Sequence, residues 1–98
     1  MITIFTPTFN RAYILPILFQ SLLEQSCKNF EWIIVDDGSS DDTAQLVQQF
    51  QEKADFTIRY YHQVNNGKHI AINYGLKKAK GELFFIVDSD EVLSNDAI

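Results

Sequence analysis

The chain has 98 residues, 46% of them hydrophobic, with eight Phe, four Tyr and one Trp. That supply of apolar side chains excludes disorder, and the length suits one small domain able to bury roughly 60–65% of its unfolded surface. A net charge of −5 with no basic stripe argues against nucleic acid as a partner, and a single cysteine, Cys27, excludes an intrachain disulfide.

In chain order, Ile2-Thr3-Ile4-Phe5-Thr6 is a short β-rich run, which Pro7 is expected to stop. Tyr13 to Gln25 reads as a helix, with Leu15, Leu18 and Leu22 on one face and Pro16 tolerable only in the first turn. Trp32-Ile33-Ile34-Val35 is a second, buried strand. It runs into Asp36-Asp37-Gly38-Ser39-Ser40-Asp41-Asp42-Thr43, where Gly38 is expected to adopt a positive φ. A second helix follows to about Lys53, capped by Ser40 or Asp41 and facing inward with Leu46, Val47 and Phe50. Phe56 to His62 is a third strand, alternating Phe56, Ile58 and Tyr60 against Thr57 and Arg59.

Asn65-Asn66-Gly67 opens a third helix from Lys68 to Ala79, and Gly81 stops it. The lysines Lys77, Lys78 and Lys80 suit the dipole at that helix end. The last strand, Leu83-Phe84-Phe85-Ile86-Val87, is apolar throughout and ends in Asp88-Ser89-Asp90, with Glu91 next. The order β-α-β-α-β-α-β, with helical crossovers and no hairpin signal, predicts an α/β fold. Its sheet is open and mainly parallel, with helices on both faces.

No run approaches the ~20 apolar residues of a membrane helix, and no signal peptide is visible. Ser94 resembles a helix cap with no helix body after it. Residues 1–98 are therefore expected to be one domain unit, truncated at its C-terminal side. One free cysteine fits a reducing compartment. A cytoplasmic location is expected, with any contact at the inner face of a membrane made by regions outside this chain.

Ligands of open α/β sheets bind beyond the carboxyl ends of the strands, where the winding reverses. That rule selects Thr6-Pro7-Thr8-Phe9-Asn10-Arg11, Asp36-Asp37-Gly38-Ser39 and Asp88-Ser89-Asp90. Acids spaced i and i+2 at a strand end project to one side, as in magnesium and manganese sites shared between carboxylates, water and substrate phosphates. The pattern points to chemistry on a phosphorylated substrate.

These segments resemble the signatures of the inverting glycosyltransferases of family 2, which have the Rossmann-like GT-A fold. Thr6 to Arg11 is similar to their first-strand signature, and Val35 to Thr43 to their second. Asn66-Gly67, Ala71, Asn73, Gly75, Ala79 and Gly81 are similar to the helix before their metal motif, and Asp88-Ser89-Asp90 to that motif itself. The resemblance covers essentially the whole chain but only the donor-binding half of such an enzyme.

It implies transfer of a sugar from a nucleoside diphosphate sugar, with a UDP-sugar favoured, to a glycan or other hydroxyl acceptor. A divalent metal, Mn or Mg, assists. By the same resemblance Pro7 and Thr8 pack the base and ribose, and Asp37 accepts a hydrogen bond from the base ring. Lys68 meets the diphosphate, Asp88 holds ribose hydroxyls or a metal-bound water, and Asp90 ligates the metal. Asn10 and Arg11 are further candidates for ligand contact, Asp36 is structural or supports the ligand-contacting residues from behind, and no catalytic base is assigned. The piece alone is expected to bind nucleotide weakly and to transfer nothing. The last strand is expected to leave apolar surface and an edge through which copies associate. A non-catalytic sugar-nucleotide module is the alternative. A receiver-type signalling domain fits poorly, because its acid pair follows the first strand, where this chain has Thr6-Pro7-Thr8.

Overall fold

The computed structural model describes residues 2–64, 77–79 and 83–87. Four parallel strands lie in the order β3-β2-β1-β4. They are β1 (Ile2–Thr8), β2 (Phe30–Asp36), β3 (Thr57–His62) and β4 (Leu83–Ile86), and helices α1 (Leu15–Leu23) and α2 (Thr43–Lys53) join the first three. The strand order has a simple origin. Each step from β1 to β2 to β3 is a crossover of one hand, so α1 and α2 fall on the same face of the sheet. β4 then returns to the other side of β1, and on the opposite face Ala79 packs against Phe5, Ile33 and Val35. Lys77 and Lys78 are helical, as predicted. The rest of the predicted third helix, from Lys68 to Leu76, lies outside the described residues.

β2 is buried at all seven positions, the expected state of a central strand covered on both faces. On the α1/α2 face, Ile4, Trp32, Ile34 and Ile58 from the strands meet Leu15, Leu18, Phe19 and Leu22 from α1 and Val47 and Phe50 from α2. Aromatic rings dominate this layer. Phe19 stacks on Phe50 with centroids 4.1 Å apart, and Trp32 lies 6.3 Å from Phe19 and 6.1 Å from Phe50. The Trp32 indole N–H, wholly buried, donates to Thr6 Oγ1 at 2.9 Å. Sheet residues alternate faces, so Thr3, Glu31 and Arg59 belong to the other side. There Arg59 Nη2 lies 2.9 Å from Glu31 Oε1, and the Thr3 hydroxyl donates to Glu31 Oε2 at 2.6 Å.

Helix ends follow the expected chemistry with shifts of a residue or two. Pro16 sits in the first turn of α1, where its missing N–H costs nothing. α1 has no basic residue in its last turn. Lys28 supplies the charge from beyond it, donating to the carbonyls of Leu22, at 3.2 Å, and Leu23. α2 begins at Thr43 with Asp42 as its N-cap, but the capping side chain is that of Asp41, which accepts the Thr43 N–H at 3.2 Å.

Pro7 does not stop the first strand. It pairs with Val35 in the β1–β2 register, and β1 continues to Thr8. The reason lies in which way the backbone groups point. The carbonyls of Phe5 and Thr8 bond to Val87 and Asp37, so Phe5 faces β4 and Thr8 faces β2. Alternation turns Pro7 toward the β4 side, and its missing N–H leaves the β1–β2 ladder whole. On β4, Phe85 and Ile86 are about half exposed (51% and 45%), the apolar surface expected beside the last strand. No helix among the described residues is long and apolar enough to cross a membrane.

Candidate functional site

The winding reverses between β1 and β4, so the crevice favoured for ligands lies at the carboxyl ends of those two strands. Thr8 pairs with Asp36, and the Asp37 N–H donates to the Thr8 carbonyl at 2.9 Å. The loops after β1 and β2 therefore leave the sheet side by side. The sequence places Pro7, Thr8 and Asp37 at this edge, and the structure brings the three together there. β4 reaches the same edge at Val87, whose N–H donates to the Phe5 carbonyl at 2.8 Å. Lys68, Asp88 and Asp90, the other predicted site residues, lie outside the described residues.

Asn10 joins the two loops. It takes a positive φ of 52°, a conformation that Asn tolerates better than most residues. Its Oδ1 accepts the Ser40 N–H at 2.8 Å and the Asp41 N–H at 3.3 Å, and its own N–H donates to Ser39 Oγ at 2.7 Å. The Asp41 carboxylate adds a strut, accepting the Ala12 N–H at 3.1 Å while it caps α2 through Thr43. The structure thus makes Asn10 a clasp between the two loops. Arg11 is exposed and donates to the Tyr13 hydroxyl at 2.8 Å. Gly38 has φ 85°, the positive value expected of it.

Asp36 is 1% exposed and serves structure, as expected. Its Oδ1 accepts the Ser39 N–H at 2.9 Å, and its Oδ2 accepts the Tyr60 hydroxyl. Burial, then the hydrogen bond to Asp36 and the negative charge there, push the Tyr60 phenol well above its ordinary range, so it remains a donor. Asp37 differs from its neighbour. It is half-buried, and its Oδ1 accepts Gln63 Nε2 at 2.9 Å. Two further features mark the edge. Thr8 Oγ1 is buried with no hydrogen-bond partner among the described residues, and a buried hydroxyl left unpaired is costly. Phe9, next in the chain, is 46% exposed. Gln63 and Tyr60 carry no motif of their own, because they enter the site through β3's pairing with β2, which a linear pattern does not reveal.

The clasp predicts a pH dependence. Burial alone would raise the Asp41 carboxyl, but hydrogen bonds from the Thr43 hydroxyl and from the Ala12 and Thr43 N–H groups outweigh it and hold Asp41 below its ordinary 3.8. A carboxyl lowered by folding adds stability that is fully present above about pH 4 and lost as pH falls through the folded-state value. The melting temperature of the wild type is expected to drop more steeply below about pH 4 than that of Asp41→Asn. Parallel curves for the two proteins would remove Asp41 from the pH response.

Among the described residues no group of three His, Cys, Asp or Glu side chains is placed to hold a metal ion. The model for the family described as "Glycosyl transferase family 2" matches residues 3–98. The GalNAc(5)-diNAcBac-PP-undecaprenol beta-1,3-glucosyltransferase of Campylobacter jejuni is 41% identical over 96 residues, which are 95% of this chain and 31% of that protein. Staphylococcus aureus TarS 1-349, solved in complex with UDP, superposes with a TM-score of 0.89 at 31% identity, over 97% of this chain and 29% of that one. The mannosyltransferase PcManGT from Pyrobaculum calidifontis, solved with GDP-Man and Mn2+, gives 0.88 at 28% identity, over 93% of this chain and 28% of that one. The chain spans from 14% to 39% of the length of the curated relatives it matches first.

Proposed function

The chain belongs to glycosyl transferase family 2, and from that premise we propose that it forms the donor-binding portion of an enzyme transferring a sugar from a nucleoside diphosphate sugar to an acceptor hydroxyl, with inversion. The observation that carries this reading is the joining of the β1 and β2 loops at the carboxyl edge of the sheet, next to the winding reversal between β1 and β4. There the Asp37 N–H bonds the Thr8 carbonyl, Phe9 next in the chain is exposed, and the buried Thr8 hydroxyl has no partner among the described residues. A carboxylate only accepts hydrogen bonds, so Asp37 suits the ring N–H of a base. An exposed aromatic ring suits the face of that base, and the Thr8 hydroxyl supplies a polar group for the nucleoside. A UDP-sugar is favoured, in keeping with the TarS structures that hold UDP and UDP-GlcNAc.

A divalent metal, manganese or magnesium, belongs to the same reading, and PcManGT was solved with Mn2+. Asp90, with Asp88, would hold it. Both are hard oxygen donors, suited to these ions, and they follow the strand that β1 pairs with at this edge. When bound, such an ion supplies positive charge against the charge that builds on the departing diphosphate. The chain's own contribution is to bind and orient the nucleotide. No catalytic base is assigned within residues 1–98.

Calorimetric titration of UDP and GDP into the full-length protein with Mn2+ tests the assignment. Asp37→Ala is expected to weaken the preferred nucleotide by about 10- to 100-fold, the worth of a hydrogen bond to a charged group. Asp90→Ala is expected to remove the dependence on manganese. Binding by both variants at wild-type strength would end the proposal.

A further inference from the structure

Behind the loop that carries Asp37 stands a phenol from the next strand. Tyr60 lies on β3, and its ring packs against the core between the sheet and helices α1 and α2. Its hydroxyl donates to Asp36 Oδ2, while Asp36 Oδ1 accepts the Ser39 N–H at 2.9 Å. That second bond spans three residues and closes a turn over Asp37 and Gly38, the latter at φ 85°. The Ser39 hydroxyl accepts the Asn10 N–H at 2.7 Å and passes the order on to the loop after β1. The Asp37 N–H is fixed separately, on the Thr8 carbonyl at 2.9 Å. Where the Asp37 backbone leaves the sheet is thus set by β1, and the path it takes next is set by the Asp36 carboxylate.

We propose that Tyr60 is a positioning residue for the nucleotide, holding the Asp36 carboxylate so that the turn from Asp36 to Ser39 presents Asp37 to the base. This role rests on the one proposed for Asp37. Asp36 is 1% exposed, so water is a poor substitute for a lost partner. Without the phenol, a buried carboxylate oxygen loses a charge-assisted hydrogen bond, and the group swings toward another donor. One carboxylate serves both partners, so that swing also pulls on the Ser39 N–H and on the turn it closes. Tyr60 suits the task in two ways. Its ring is seated in the core, which fixes the place of the hydroxyl. Burial, the hydrogen bond to Asp36 and the negative charge there keep the proton on the phenol, so it stays a donor. A phenylalanine would keep the ring packing and lose the hydroxyl alone.

The test is calorimetry on the full-length protein in Mn2+, with whichever of UDP and GDP binds tighter. It compares wild type, Tyr60→Phe, Asp37→Ala and the double variant, each below its melting temperature. Tyr60→Phe is expected to weaken the nucleotide about five- to tenfold. In the Asp37→Ala background the same change is expected to alter affinity by less than about twofold, because the residue being positioned is gone. Amide hydrogen exchange supplies a second reading. Exchange at Ser39 is expected to be slow in nucleotide-free wild type and about tenfold faster in Tyr60→Phe. Wild-type affinity in a folded Tyr60→Phe would overturn the proposal. So would an equal loss in both backgrounds, which would make the hydroxyl a general prop of the fold. Exchange at Ser39 of nucleotide-free wild type as fast as in an open loop would overturn it too, whether or not Tyr60→Phe folds. If Asp37→Ala weakens binding and Tyr60→Phe does not, the role of Tyr60 falls and that of Asp37 stands. If neither nucleotide binds, or Asp37→Ala binds as wild type does, both roles fall together.

Discussion

Replacing Trp32 with alanine is expected to cost about 3–5 kcal/mol, the range for truncating a buried aromatic side chain. The indole is wholly buried, lies beside the stacked rings of Phe19 and Phe50, and also donates to Thr6 Oγ1. Its removal opens a void at the joint of β1, β2, α1 and α2, and it leaves a buried hydroxyl without its donor. A domain of this size has about 5–15 kcal/mol of stability in all, so roughly a fifth or more of it is at stake. At roughly 4–8 °C per kcal/mol, the melting temperature should fall by about 12 °C or more. Trp32→Phe helps to separate the two contributions, because it retains much of the ring stack while losing the hydrogen bond and part of the ring volume. Its cost should lie nearer 1–3 kcal/mol. Thermal unfolding followed by far-ultraviolet circular dichroism measures both. A Trp32→Ala protein that melts within about 3 °C of wild type would show that this ring layer does not hold the sheet to its helices.

The second large effect is expected on the opposite face. Glu31 is almost completely buried (side chain 2% exposed), and Arg59 reaches it with two nitrogens, Nη2 at 2.9 Å and Nε at 3.1 Å. Breaking such a pair costs more than the pair is worth, because the remaining charge is stranded away from water. Arg59→Met is therefore expected to destabilise by about 3–5 kcal/mol. Replacing both residues, as in Glu31→Leu with Arg59→Met, should recover most of that loss, and the Thr3 hydroxyl would then lack its acceptor at a cost of about 1–3 kcal/mol. A double-mutant cycle in urea reads the difference directly. A cost below about 1 kcal/mol for Arg59→Met would mean that water reaches Glu31 and screens it like a surface pair.

Most of the fold is legible in the sequence, because its signals are local. The apolar run of Trp32 to Val35 and the spacing of Leu15, Leu18 and Leu22 report burial on a strand and on a helix face, and those residues are buried. The site was partly legible for the same reason. Acids and a glycine directly after an apolar strand mark its carboxyl end, and Asp36, Asp37 and Gly38 stand there. What the sequence hides depends on which strands are neighbours. Glu31 and Arg59 are 28 positions apart and meet only because β2 pairs with β3 in the register Glu31↔Thr57 and Ile33↔Arg59. Tyr60 and Gln63 reach Asp36 and Asp37 through the same pairing. Pro7 misleads because its rule concerns a missing donor, and whether that donor matters depends on the side of the strand it faces. Asn10 hides for another reason. A residue that opens a helix and one that clasps a loop 29 positions away look alike until the backbone turns to positive φ.

The bridge from Asn10 to Ser39, Ser40 and Asp41 has a thermodynamic corollary. Two loops that would otherwise be ordered separately by an incoming molecule are already ordered by folding. A ligand that touches both gives up little of its association free energy to immobilising them. The rigidity of the rim is set when the chain collapses, long before any ligand arrives.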